Sequence, residues 1–170
     1  MEVLEIIRRR RSIRRYKPDP VPEDKLRKVL EAARLAPSAA NRQPWKFIVV
    51  RSPEVKEMLK EAYPASWFIS APVIIVACAL PREAWVRNDG EEYWKVDVSI
   101  AMEHLVLEAV EEGLGTCWIG AFDEEAVKKV LGIPHDVRVV AMTPLGYPAE
   151  SKEPVKDRKS LDKIVSYDHW

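Results

Sequence analysis

Tyr93-Trp94-Lys95-Val96-Asp97-Val98-Ser99-Ile100-Ala101-Met102-Glu103-His104-Leu105-Val106-Leu107-Glu108-Ala109-Val110-Glu111-Glu112 is the longest periodic stretch of the chain, and Gly113 and Gly115 close it. Apolar residues fall at Val96, Ile100, Leu107 and Val110, and again at Val98, Ala101, Leu105 and Val106. That is more apolar surface than one helical stripe requires. A helix apolar over so much of its circumference is buried on two sides, one of them its own sheet and the other a candidate for a partner subunit. The pattern therefore predicts a homodimer.

On the N-terminal side of this helix, Val73 to Ala79 is apolar throughout and Trp45 to Val50 is rich in β-branched and aromatic residues, so both read as buried strands. Pro53 to Ala62 lies between them and reads as helical. Pro22 and Glu23 open another helix, with Leu26, Val29, Leu30 and Ala33 at 3,4-spacing and a stop before Pro37. Leu4, Ile6 and Ile7 followed by Arg8 to Arg11 predict a short amphipathic helix with its cations at the C-terminal end, where the dipole favours them. Pro81 to Gly90 has no clear period and reads as a loop or partly helical excursion over the core. On the C-terminal side, Cys117 to Ile119 predicts a brief strand, Glu124 to Leu131 a helix and Val137 to Met142 another strand. The last twenty residues form a charged tail that would fray unless it docks on a partner.

The 170 residues suit one domain over the whole chain, 1–170, with about 70% of the unfolded surface buried. Lys plus Arg number 27 and Asp plus Glu 27, so no global field draws the chain to nucleic acid or an anionic membrane. Neither partner is expected. Cys78 and Cys117 both sit in apolar runs and provide no disulfide framework, and no secretory leader is legible, so a cytoplasmic setting is expected.

Four constellations could carry chemistry. Arg10, Arg11, Ser12 and Arg14 set a hydroxyl among guanidiniums, the donor set a phosphomonoester needs, although a solvated helix end has the same composition. Pro37-Ser38-Ala39-Ala40-Asn41-Arg42-Gln43-Pro44-Trp45 is a small polar loop whose Asn41 and Gln43 amides match the edge of a heterocycle, or which simply caps a helix. Gly113 to Gly120 brackets a brief strand with glycines that admit a flat ligand, but it follows a helix and enters a strand, the reverse of the dinucleotide-binding order. Lys156, Arg158 and Lys159 form a basic cluster in the tail. His104, His135 and His169 have no metal-ligand spacing, and no nucleophile elbow or phosphate-binding loop is present, so metal, hydrolase and kinase chemistry are not expected. Trp85 and Trp94 flank the irregular segment and could cover a flat substrate.

Taken in register, Arg10-Arg11-Ser12-Ile13-Arg14, Pro37-Ser38 through Asn41-Arg42-Gln43-Pro44-Trp45, Gly115 through Gly120, Pro144-Leu145-Gly146-Tyr147-Pro148 and the basic tail resemble the nitroreductase family of FMN-dependent oxidoreductases along nearly the whole chain. The resemblance implies an α+β fold with helices around a mostly antiparallel sheet, an intimate homodimer with FMN at its interface, and a C-terminal tail exchanged between subunits. It assigns Arg10 and Ser12, with Arg11 beside them, to the phosphate and ribityl chain, and Arg14 to the pyrimidine side. A cation there stabilises the anionic reduced ring. Pro37, Ser38 and Ala39 match the loop that the second subunit lays on the flavin, and Asn41 and Gln43 match its polar contacts. Trp118, Ile119 and Gly120 match the strand end facing the flavin N5 and O4. Lys156 and Arg158 match the basic group that closes on the phosphate.

The implied reaction is a ping-pong hydride transfer from NADH or NADPH through FMN to a nitroaromatic, a quinone or another small-molecule oxidant. No catalytic side chain is required, since the cofactor carries the chemistry. Two features depart from the family. Ala65 to Phe68 lacks the asparagine and lysine that longer members offer the ring, and the lid is reduced to about Pro81 through Tyr93. Within the family a reductive dehalogenase or a flavin-fragmenting enzyme is the alternative, and outside it a non-enzymatic FMN-binding protein.

Overall fold

A computed structural model describes residues 2–170. Its sheet has four strands, β1 (Trp45–Val50), β2 (Val73–Ala79), β3 (Gly115–Thr116) and β4 (Arg138–Gly146), in the order β1-β2-β4-β3 with every neighbour antiparallel. Six helices surround it: α1 (Val3–Arg9), α2 (Glu23–Arg34), α3 (Pro53–Met58), α4 (Ser66–Ile69), α5 (Trp94–Glu111) and α6 (Glu124–Leu131). This is the α+β architecture that the resemblance implies.

β2 explains the layering. Its seven residues are all buried, and because side chains alternate across a strand they feed two separate cores. Ile74, Val76 and Cys78 pack with Leu59, Phe68 and Val127 beneath α3, α4 and α6. Val73 and Ile75 pack with Leu26, Val29 and Ala33 of α2 and Leu105 and Ala109 of α5, while Ala77 and Ala79 meet Val98 and Met102 further along α5. Burial pushes the Cys78 thiol up to about 11, so it behaves as an apolar core residue.

α5 turns one stripe, Trp94, Val98, Ala101, Met102, Leu105 and Ala109, onto the sheet and α2. Val96 stays 43% exposed, and with Lys95, Ser99, Ile100 and Glu103 it lines an open surface groove. Val3, Leu4 and Ile7 of α1 are exposed as well. The second apolar face read from the sequence therefore exists and is not covered by this chain.

Three elements differ from expectation. The strand expected at Cys117–Ile119 is found at Gly115–Thr116, and β4 runs on past Met142 to Gly146. The first difference comes from Pro144, and the second from β4 pairing with β2 as far as Leu145 and with β3 as far as Gly146. Gly115 pairs with Gly146 and Thr116 with Leu145, while Ile119 and Met142 exchange two hydrogen bonds of 2.9 and 3.0 Å. In that register Cys117 faces Pro144, which has no N–H to give. The Cys117 carbonyl is left without its ladder donor, while the Cys117 N–H donates to the Thr143 hydroxyl at 3.1 Å, which in turn donates to the Pro144 carbonyl at 2.9 Å, and the ladder is interrupted there. The segment expected as an irregular excursion begins with a 3-10 turn at Pro81–Glu83 and then closes as a small hairpin, with a bridge between Val86 and Glu92. Arg87 holds its tip through Asp89, at 2.7 and 2.8 Å.

The outer edge of β3 is covered by the N-terminal strap: the Ile13 N–H donates to the Thr116 carbonyl at 2.8 Å. Gly115 permits this approach, because a Cβ there would lie 2.8 Å from Ile13 Cγ1. At the far end of β4, a Cβ on Gly146 would lie 2.6 Å from Pro72 Cδ, against a ring that cannot rotate away. Gly146→Ala is expected to cost about 1–3 kcal/mol of stability as an overpacking strain. Urea unfolding with unchanged slope would measure it, and a wild-type midpoint would contradict this packing.

Candidate functional site

The strap after α1 carries the arginine run to the sheet edge. Arg10, Arg11 and Ser12 line a small cavity of about 30 Å³ together with Glu103, Val106, Thr116, Cys117 and Trp118. Ser12 forms a parallel bridge with Thr116, so its position is fixed by the edge of β3. Glu103 of α5 faces Arg10; partial burial pushes its carboxyl above the ordinary value, and the Arg10 charge pulls it back. Arg11 also lines a wider groove of about 360 Å³ with Arg9, Gly115, Glu150 and Lys152.

Trp118 and Gly120 complete this edge. Ile119 bonds to Met142 through both its N–H and its C=O, so by the alternation of an antiparallel pair the N–H groups of Trp118 and Gly120 point away from β4. Trp118 is 40% exposed, and a Cβ on Gly120 would meet nothing within 4 Å. The edge thus offers outward donors over open space, next to a hydroxyl and two guanidiniums. Such a set can accept an anion and the edge of a planar ring.

Residues that the pattern did not single out hold the strap in place. The Arg14 N–H donates to Glu150 Oε1 at 2.6 Å, Lys152 Nζ donates to the Ser12 carbonyl at 2.7 Å, and the two side chains pair at 3.0 Å. The bond from Arg14 N–H and the Lys152 charge hold the Glu150 carboxyl below its usual range. Tyr16 donates its hydroxyl to the Ile13 carbonyl at 2.6 Å, and burial raises its pKa, keeping it a neutral donor. Arg14 itself turns to Trp67, its guanidinium 5.8 Å from the ring centre, and Trp67 stands edge-on to Tyr63 and Phe68. So the segment from Ala65 to Phe68 supports a cation through an aromatic face.

The loop from Pro37 to Gln43 lies elsewhere on α5. Its Ala39 N–H donates to Asp97 Oδ1 at 2.9 Å, whereas the arginine cavity reaches Glu103 and Val106. Six residues of helix, about 9 Å of rise, separate the two anchor points. Ala40, Asn41 and Gln43 have φ of 51°, 53° and 51°, a left-handed conformation that only asparagine among them tolerates well. The Ser38 hydroxyl accepts from Gln43 N–H at 2.9 Å, and the Gln43 side chain donates to the Asn41 carbonyl at 3.1 Å. Gln43 therefore stabilises its own loop, while the Asn41 side chain is exposed. Pro37 is exposed beside it.

Within one chain, then, Arg10, Arg11, Ser12, Trp118, Ile119 and Gly120 come together, Arg14 flanks them over Trp67, and Pro37, Ser38, Ala39, Asn41 and Gln43 form a second group. Lys156 and Arg158 join neither: the tail from 153 to 170 is exposed throughout, and Arg158 bonds within the tail, its guanidinium to the Asp157 carbonyl and its N–H to the Lys156 carbonyl. Trp94, expected as a substrate cover, is 6% exposed and packs beneath the Arg138 guanidinium, so it is core. Trp85 is half-buried edge-on against Tyr93.

Comparison with known proteins fits this geometry. The family model described as the nitroreductase family matches residues 7–67 and 59–147. An NADH dehydrogenase of Thermus thermophilus is 37% identical over 188 aligned positions that cover 92% of this chain and 91% of the relative. The crystal structure of a nitroreductase family protein from Clostridium difficile superposes with a TM-score of 0.90 at 32% identity, covering all of both chains. A second structure from that organism, described as an FMN-dependent nitroreductase, gives 0.84 at 32% identity over 98% of this chain and 99% of the other. A family model that spans both the arginine strap and the Gly115–Gly120 edge, with relatives matched over almost their full length, establishes that the chain belongs to the nitroreductase family.

Proposed function

We propose that this chain is an FMN-dependent NAD(P)H oxidoreductase that works as a homodimer, in which the Arg10–Ser12 edge of one copy and the Pro37–Gln43 loop of the other enclose the flavin. The observation that carries this reading is the open edge that continues past β3, where the outward N–H groups of Trp118 and Gly120 lie beside the half-buried Arg10, Arg11 and Ser12. The family and the FMN and NADH named for its relatives support it.

The residues present fit FMN. A phosphate takes charge-assisted bonds from guanidiniums and one from a hydroxyl, as Arg10, Arg11 and Ser12 can give. A carbonyl and ring nitrogen along one edge take backbone donors, as Trp118 and Gly120 can give. Arg14, held over Trp67, supplies a cation that favours negative charge on the ring. Lys156 and Arg158 close on the phosphate once the tail is ordered by a partner copy. When bound, FMN supplies the hydride chemistry between NADH or NADPH and a small-molecule oxidant, and the protein's part is to orient, to exclude water and to place charge.

The dimer follows from what one chain leaves open. The loop and the arginine cluster are held about two turns apart on α5, and the uncovered face with Val96, Ser99 and Ile100 runs along the same part of the helix. A second copy seated on that face would shield its apolar groups and bring the loop of one chain to the cluster of the other. The exposed Leu161, Ile164, Tyr167 and Trp170 of the tail add apolar surface for the same association. The dehalogenase alternative gains little from the lid, where Arg87 pairs with Asp89 and Glu91 with Lys95 of α5.

Protein purified without added cofactor is expected to show an oxidised flavin spectrum that bleaches anaerobically with NADH or NADPH. A colourless protein that also fails to take up added FMN would overturn the proposal. Arg10→Ala with Ser12→Ala removes two contacts of about 1.5–3 kcal/mol each, so the FMN dissociation constant should rise by at least about a hundredfold with the fold retained by circular dichroism. Gly120→Ala is a finer probe. Its Cβ enters open space, so thermal stability should match the wild type, while FMN affinity falls because the methyl group stands where the ring edge must approach. Full flavin occupancy in either variant would place the site elsewhere.

A further inference from the structure

Among the described residues Asp97 is the one buried carboxylate, and no expected role absorbs it. It is 1% exposed, in the first turn of α5, where the helix dipole favours a negative charge. An apolar residue at this position would continue the stripe of Trp94, Val98 and Ala101. Instead the carboxylate accepts the Ala39 N–H at 2.9 Å through Oδ1, while Oδ2 is buried without a partner. One turn earlier, the Trp94 indole Nε1 is also buried and unpaired. Half-satisfied buried polar groups are costly, and where they persist beside strained backbone they mark a place where geometry is being enforced.

The strained backbone is the loop itself. Ala40, Asn41 and Gln43 are all left-handed, and the bonds that close the loop are internal: Asn41 N–H to the Ser38 carbonyl, Arg42 N–H to the Ala39 carbonyl and Gln43 N–H to the Ser38 hydroxyl. Such bonds shape a loop without fixing where it stands. Among the described residues, apart from the Trp45 N–H of β1 donating to the Gln43 carbonyl where the chain enters the strand, the hydrogen bond tying residues 38–43 to another element is the one from Ala39 to Asp97.

We propose that Asp97 is a positioning residue for the flavin site: its carboxylate sets the left-handed Ala39–Gln43 loop on α5 in the orientation that presents Asn41 and the neighbouring backbone to the flavin. This rests on the reading above that the loop contacts FMN. Asp97 touches no cofactor itself. It acts through Ala39, and the unpaired Oδ2 is the cost of placing an ionisable acceptor where an apolar side chain would otherwise pack.

The bond can be cut from either side. Asp97→Ala removes the acceptor. Ala39→Pro removes the donor without touching the core, since Ala39 opens a 3-10 turn and Ser38 is already extended at φ −141° and ψ 156°, as the residue before proline must be. Asp97→Asn retains a carbonyl oxygen for Ala39. Two readouts are taken on the full-length protein: the FMN dissociation constant by fluorescence titration, and the rate of tryptic cleavage after Arg42 in apoprotein, followed by mass spectrometry.

Asp97→Ala and Ala39→Pro should each raise the FMN dissociation constant about tenfold or more and speed the cut after Arg42. Asp97→Asn should stay near the wild type in both. Because the two changes remove the same bond, the double variant should be no worse than the more damaging single one. If the wild type binds FMN and both single variants bind it equally well, the role of Asp97 is refuted while the flavin site stands. Strictly additive losses in the double variant would also refute it. If the wild type takes up no FMN, the flavin reading fails and the proposal fails with it. Should Asp97→Ala not fold, Ala39→Pro decides.

Discussion

β2 is buried on both faces, and that single constraint organises the rest of the molecule. A strand with apolar side chains on two sides needs a helical layer on each, so α2 and α5 cover one face and α3, α4 and α6 the other. Seven buried residues, the large apolar ones worth about 1.5–3 kcal/mol each, tie both helical layers to this one strand. α5 is thereby pressed onto the sheet along most of its length. It then serves as the frame on which both parts of the site are mounted, the strap at Glu103 and Val106 and the loop at Asp97.

Much of this was legible in the amino-acid pattern because burial writes itself into periodicity. The long helix, the continuous apolar run of β2, the stop before Pro37 and the second apolar face of α5 all follow from spacing alone. Strand order did not, since antiparallel neighbours are chosen by long-range packing that no local pattern encodes. The split at Cys117 was hidden for a similar reason: the missing rung belongs to Pro144, twenty-seven positions away in sequence and directly opposite in space.

The same distinction runs through the candidate site. Arg10 and Ser12 could be picked out because a hydroxyl among guanidiniums is an unusual setting, and Trp118 and Gly120 through the family resemblance. Glu150, Lys152 and Trp67 could not, because an ordinary charged pair and an ordinary aromatic become informative only once they are seen gripping the strap. Asp97 left one trace, a carboxylate inside an otherwise apolar helical stripe. That irregularity is visible in the sequence, but its meaning depends on which backbone amide reaches it.

The short hairpin between Trp85 and Tyr93 satisfies itself. Its backbone bridge, its Arg87–Asp89 clasp and its Trp85–Tyr93 contact all close within the segment. A part that depends so little on its surroundings behaves as a cassette. Insertions at its tip, around Gly90, could lengthen the covering of the site without disturbing the sheet or α5, because loop closure grows only slowly in cost with length. Diversification within this scaffold can therefore proceed by exchanging one surface module, while the strap, the strained loop and the twice-buried strand remain under a common structural selection.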